Sequence, residues 1–236
     1  MELAPRFVGR LGIADAVTVG NAALGFLAAA VAAVDVRVAA QFVLLAAVLD
    51  GLDGVLARRY GGTPAGPHLD SLADVASFGV APAMLVIAVA EDAAEGAPEA
   101  AVAFGIPALF VAMAVVRLGL YTAYDAERTT TLGAPSTLAA TALGAAVLAG
   151  VEEPAAVLAI TAAFCYLMVS PIEYPDLLAR DALLMGVIHV LAVVIPGFQG
   201  GLFPVALLTL ALAYLVLGPR FYWGEAERRR EEGKRS

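Results

Sequence analysis

Long stretches with almost no charge recur from one end of this chain to the other, and that pattern limits its folds more than any other feature. Crossing a hydrocarbon core of ~30 Å takes about 20 helical residues. Eight runs qualify as candidate spans, at 13–34, 38–57, 71–90, 100–123, 135–151, 154–170, 182–196 and 202–218. The last four are short and bordered by Pro and Gly. Of the 236 residues 61% are apolar and 15% charged, against about 25% charged in soluble domains. Disorder is excluded by so apolar a composition, and a soluble globule would lack polar groups for its surface. The run at 13–34 exceeds the ~7–15 apolar residues of a signal-peptide core, and further runs follow it, so it reads as a first membrane helix. The expected fold class is all-α: a polytopic membrane helix bundle of about eight transmembrane helices in one domain, 1–236, with a charged tail at about 219–236.

The placement of the basic residues orients this bundle. With eight crossings, thirteen of the fourteen Lys and Arg fall on one side: Arg6, Arg10, Arg58, Arg59, Arg117, Arg128, Arg180, Arg220 and the tail residues. Arg37 alone falls on the other side, where the loops are acidic (Glu91, Asp92, Glu95, Glu99, Glu152, Glu153). The positive-inside rule then puts both termini and the loop after the second span in the cytoplasm. A net charge of −8 argues against nucleic acid as a partner. One cysteine, Cys165, permits no disulfide framework, and His68 and His189 are too few for a histidine metal site. Cys165 and His189 read as packing residues. Paired Gly20 and Gly25, or Ala139 and Gly144, suit close helix approach in lipid.

The few remaining charges are concentrated. Asp50 and Asp53 stand at i, i+3 near the end of the second run, and Asp70 and Asp74 at i, i+4 where the third begins. Each pair occupies one helix face. The two helices are antiparallel neighbours, so four carboxylates can meet at the cytoplasmic boundary. A single Asp near a helix end is usually a cap or a solvated group. Four on adjoining membrane helices repel one another, and burying them uncompensated costs several kcal/mol each. Bound cations relieve this. The donors are all oxygens, which selects hard divalent ions, Mg2+ first and Mn2+ second. A metal pair ~3.5–4 Å apart is a common device for displacement at phosphorus. Gly54 and Ala57 leave a groove beside Asp53, Arg58 offers a charge for a phosphate, and Gly61, Gly62, Pro64, Gly66 and Pro67 reverse the chain.

These residues resemble the signature of the CDP-alcohol phosphatidyltransferase family, D-x-x-D-G-x-x-A-R, a spacer, then G-x-x-x-D-x-x-x-D. Asp50, Asp53, Gly54, Ala57, Arg58, Gly66, Asp70 and Asp74 fill every specified position, and the catalytic motif spans 50–74. The spacer between Arg58 and Gly66 has seven residues, one fewer than is usual. The segments at 69–82, Thr18 to Asn21 and 167–175 resemble one branch, the phosphatidylserine-synthase type. Near Arg117 that branch often carries a second basic residue, which is missing here.

The resemblance implies that Asp50, Asp53 and Asp70 hold two divalent cations with Asp74 touching one of them. Asp74 would also serve as general base. Asp53, Gly54, Ala57, Arg58 and Gly66 would cradle the CDP group, with Asn21 facing the same cavity or, alternatively, making a helix–helix hydrogen bond. The implied partners are a CDP-linked glycerolipid, L-serine, membrane lipids and a second copy in a homodimer. The site would face the cytoplasm from the cell membrane. Ser77, Arg117 and Arg128 are candidate contacts for the acceptor or a phosphate. A charge inside an apolar run is functional by default, though Arg117 can also snorkel to the boundary. Glycerol 3-phosphate and inositol phosphate are alternative acceptors. A cation-coupled transporter is the alternative from another class, but it predicts carboxylates in both halves of the chain, and the second half lacks a matching set.

Overall fold

The computed structural model describes residues 5, 7–125, 130–175 and 179–221, and they form a helical bundle with one two-stranded ribbon. In chain order the helices are α1 (Ile13–Val31), α2 (Val36–Tyr60), α3 (Gly66–Ala90), α4 (Ala97–Asp125), α5 (Ser136–Leu148), α6 (Pro154–Leu167), α7 (Ala179–Val194) and α8 (Leu202–Phe221). They follow the eight apolar runs closely. Five of them, α1 to α4 and α8, are long and apolar enough to cross a bilayer. The other three are apolar too but have only 13, 14 and 16 residues, in line with the short runs they occupy. At about 1.5 Å per residue, α5 is ~20 Å long, short of the hydrocarbon core. Its sequence explains its place. It is built of Ala, Leu, Thr, Gly, Ser and Val without an amphipathic stripe, and every residue except Thr137 is buried. A helix apolar all round belongs inside a bundle.

Side-chain caps set several helix ends. Asp35 accepts from the backbone N–H of Arg37 and Val38 and starts α2. Glu153 does the same for α6 through Ala155 and Ala156. At the start of α1 the Asp15 carboxylate accepts from Gly12 N–H at 2.7 Å. Gly61, at φ +88°, lets the chain leave α2.

Two helices contain π turns. In α3 residues Val75–Val80 are π-helical, and the Ala81 N–H reaches back to the Ala76 carbonyl. The cause is Pro82, which has no N–H to give and whose ring crowds the preceding carbonyls. The wider turn sits directly after Asp74. The second π turn, Tyr121–Asp125, ends α4.

Because consecutive helices alternate in direction, one end of the bundle collects the start of α1, the end of α2, the start of α3, the end of α4 and the start of α5. At that end β1 (Thr130–Leu132) pairs antiparallel with β2 (Glu173–Pro175), with Thr131 opposite Tyr174. Tyr174 donates to the Leu215 carbonyl and Tyr214 to that of Pro175, which ties β2 to α8. At the opposite end Arg37 forms an ion pair with Glu152 at 3.2 Å and donates to the Leu148 carbonyl. About half exposed on both sides, that pair contributes ~0–1 kcal/mol.

Small residues decide how near the helices come. A Cβ on Gly25 of α1 would stand 2.7 Å from the backbone of Ser77, and one on Gly144 of α5 would stand 3.4 Å from the Ala40 carbonyl oxygen of α2. An apolar cluster of Ala28, Val43, Ala46, Phe78, Ala81 and Ala140 joins α1, α2, α3 and α5 at mid-depth. Cys165 and His189 are packed into helix contacts, the ring of His189 beside Thr141 Oγ1 and the Met185 carbonyl. Gly25→Ala is expected to lower the melting temperature of the purified protein, at a cost of about 1–3 kcal/mol. Gly186→Ala, where a Cβ meets nothing within 4 Å, is expected to change stability by less than about 0.5 kcal/mol. Equal melting temperatures for the two variants would contradict this packing.

Candidate active site

The acidic residues of α2 and α3 converge where the two helices meet. Asp50, Asp70 and Asp74 each offer a carboxylate oxygen, and the three oxygens lie within 4.8 Å of one another. Asp53, expected with them, faces slightly aside: its carboxylate accepts from Thr18 of α1 at 2.6 Å. Residues three apart on a helix differ by about 60° in direction. That offset sends Asp50 into the trio and Asp53 toward α1. The buried Oδ1 of Asp74 has no hydrogen-bond partner. Thr137, the one residue of α5 that is not buried, stands near Asp50.

A cavity of about 340 Å3 opens beside the trio, lined among others by Thr18, Asp53, Gly54, Ala57, Gly66 and Asp70. Four of the residues singled out for a CDP group therefore share one wall system. The Arg58 guanidinium folds back over Gly54, where an added Cβ would be 3.4 Å from Nη1. On the far wall Ser71 and Thr122 hydrogen-bond across α3 and α4 at 2.5 Å. The loop at the cavity mouth is held by Thr63, whose hydroxyl donates to Asp15 at 2.8 Å and accepts from Gly66 N–H at 3.2 Å. Thus the loop that is one residue shorter than usual is clamped to α1.

The remaining sequence candidates are distributed differently. Asn21 is fully buried one turn deeper than Thr18, outside the cavity lining, and both of its amide atoms are unpartnered. Ser77 donates to the Asn21 backbone carbonyl at 2.8 Å and so joins α3 to α1. Arg117 is 8% exposed and does not snorkel. Its Nε donates to the Ala134 carbonyl at 3.1 Å, its Nη2 to Thr131 Oγ1 at 3.3 Å, and its guanidinium lies over the Tyr121 ring. The same guanidinium is within electrostatic reach of Asp74 and Asp50. Arg128 lies outside the described residues. Asp15, Thr18, Thr63 and Ser136 were not singled out from the sequence. For the first two a signal existed, since Asp15, Thr18 and Asn21 recur every three residues on one stripe of an otherwise apolar helix.

The donor set fits a hard divalent cation: three convergent carboxylates, one buried oxygen without a partner, and no sulfur or imidazole among them. A membrane-embedded helical protein with such a trio beside a cavity at one end belongs to the polytopic membrane enzymes. The family model for CDP-alcohol phosphatidyltransferase matches residues 11–198, so the chain belongs to that family, whose cofactor is a divalent metal. The archaetidylserine synthase of Methanothermobacter thermautotrophicus is 31% identical over 170 residues, 70% of each chain. The CDP-diacylglycerol–serine O-phosphatidyltransferase of Bacillus subtilis is 30% identical over 168 residues, 67% of this chain and 87% of that one.

Saturating Mn2+ is expected to raise the melting temperature of the wild-type protein, since a ligand at 100 times its Kd stabilises by about 2.7 kcal/mol. The Asp50→Asn, Asp70→Asn double variant is expected to lose most of that rise. An unchanged Mn2+ response would contradict the assignment of these carboxylates as ligands.

Proposed function

We propose that the protein transfers a phosphatidyl-type group, a diradylglycerol phosphate, from a CDP-linked glycerolipid to the hydroxyl of L-serine and releases CMP. The observation that carries this reading is the unpartnered Asp74 oxygen, buried within the carboxylate trio whose member Asp70 lines the cavity. Serine as acceptor is supported by the names of the two relatives and by Arg117, a buried cation beside Asp74 suited to a carboxylate.

The chain's own groups divide the work. Gly54, Ala57 and Gly66 lack bulk, so a nucleotide can lie against backbone there, with Arg58 over its phosphates. Asp74 accepts the proton of the acceptor hydroxyl through Oδ1. The freed oxygen forms a bond to the lipid-side phosphorus while the bond from that phosphorus to the CMP oxygen breaks, and CMP leaves carrying the electron pair. Two divalent cations, Mg2+ or Mn2+, would be held by Asp50, Asp53, Asp70 and Asp74 and would neutralise charge on the phosphoryl and leaving oxygens. Arg117, fixed by Ala134, Thr131 and Tyr121, keeps a positive charge beside Asp74 without being free to pair away from it.

In the same reading the chain crosses the cell membrane eight times as one domain, 1–236, with both termini and the site on the cytoplasmic side. The three shorter helices complete their crossings with flanking turns or in locally thinned lipid. The thirteen-to-one division of basic residues supports that orientation. A homodimer is the expected assembly.

With a CDP-linked glycerolipid, L-serine and Mn2+, the purified protein is expected to release CMP in proportion to serine, and EDTA to stop it. Asp74→Asn is expected to lower kcat by at least 100-fold and still bind the CDP-lipid, because general-base catalysis contributes ~10²–10⁴. Normal turnover by that variant would remove Asp74 from the base role.

A further inference from the structure

Of the four acids, Asp53 on α2 and Asp70 on α3 line the cavity, and the two stand within electrostatic reach of each other. Asp50 and Asp74 complete the trio with Asp70 but lie behind that wall. Asp53 thus stands at the cavity, apart from the trio, and a contact with α1 holds it there: the Thr18 hydroxyl donates to Asp53 Oδ2 at 2.6 Å. That length is in the range of a hydroxyl bonded to a carboxylate. Thr18 is itself part of the cavity lining, and both side chains are buried, so water competes little for the bond. The same hydroxyl lies 3.2 Å from the Ala14 carbonyl, four residues back. Both neighbours are acceptors, and a hydroxyl has one proton to give. The shorter contact takes it. The longer one reports the rotamer, because a helical Thr can turn its oxygen toward the preceding turn. Thr18 is also fixed in place, since α1 is fastened on both sides of it. Nearer the cavity mouth Asp15 accepts from Thr63 at 2.8 Å, and deeper in the bundle Ser77 donates to the Asn21 carbonyl at 2.8 Å.

We infer that Thr18 is a positioning residue for Asp53, holding its carboxylate on the cavity wall so that a divalent cation can be gripped there. The inference rests on the two-cation reading above and adds a residue that reading does not use. Repulsion from Asp70 acts to turn a free Asp53 side chain away from the place where the two acids can serve one ion. The Thr18 bond opposes that turn. With Oδ2 committed to Thr18, the plane of the carboxylate is set before a cation arrives, and Oδ1 is left for the ion. The loss of side-chain freedom then falls on folding and not on binding. Hydrogen-bond partners that orient a metal ligand in this way change metal affinity by about 10–100-fold when they are removed. The donor is neutral, so it orients Asp53 without cancelling the charge that attracts the cation.

The test is titration of the full chain with Mn2+, read by thermal unfolding without substrate and, separately, by CMP release. Thr18→Val keeps the shape of the side chain and removes the hydroxyl. It is expected to raise the Mn2+ concentration of half-maximal effect about tenfold or more in both readouts. Thr18→Ser restores the hydroxyl and is expected to bring that concentration back to within about threefold of wild type. A hydroxyl that merely tied α1 to α2 would, when lost, lower the metal-free melting temperature and leave the Mn2+ concentration where it was. In an Asp53→Asn background, read by unfolding, Thr18→Val is expected to add less than about twofold, since its effect passes through Asp53. Thr18→Ala is read in the same way if Thr18→Val fails to fold. A wild-type Mn2+ dependence in the variant without the hydroxyl, or its full effect persisting in the Asp53→Asn background, overturns this inference alone. Wild-type protein whose melting temperature and CMP release both ignore Mn2+ overturns the metal reading and this inference with it.

Discussion

Mutual repulsion among carboxylates at the edge of an apolar bundle is the constraint on which the rest of this structure depends. Asp50, Asp70 and Asp74 bring their oxygens within 4.8 Å of one another, and Asp53 stands beside them. Like charges taken from water cost several kcal/mol each unless something offsets them. The surroundings supply partial compensation: the hydroxyl of Thr18 and the buried guanidinium of Arg117. One cation against four carboxylates leaves an excess of negative charge, which divalent ions and a phosphate-bearing substrate balance together. An arrangement costly when empty and favourable when loaded is what a metal-dependent phosphoryl transfer requires.

Holding the carboxylates together despite their repulsion falls to the helix contacts below and beside them. Gly25 lets α1 lie against the backbone of Ser77, and Gly144 lets α5 lie against α2 at Ala40. The π turn that Pro82 imposes on α3 directly follows Asp74 and changes the register of Ser77 and Phe78 against α1 and α5. On the other side, Arg117 ties α4 to β1 and to the start of α5. The site is thus assembled from five helices, of which α2 and α3 contribute the acids while α1, α4 and α5 orient them.

The parts of this that the amino-acid order makes legible are those set by local rules. Apolar runs mark all eight helices, and the i, i+3 and i, i+4 spacings of the aspartates predict that α2 and α3 each carry their acids on one face. What escapes is set by neighbours. The 60° offset between Asp50 and Asp53 has no visible consequence until α1 presents Thr18. Asp15, Thr18 and Asn21 are single polar residues in an apolar stretch, and which way they turn depends on the helix packed against them. The strands at Thr130–Leu132 and Glu173–Pro175 are too short to display an alternating pattern, so the partners of Arg117 could not be read from spacing. Helices α5 to α7 are shorter than a full span because Gly and Pro end them early, and α5 is apolar enough to be buried in the bundle rather than to face lipid along its length.

The most direct test of the central claim is an experimental structure of the protein with Mn2+, located by its anomalous scattering. The account predicts density between Asp50, Asp70 and Asp74, with carboxylate oxygens of all three as ligands. Mn2+ absent from that position at saturating concentration, with the three side chains turned apart, would contradict it.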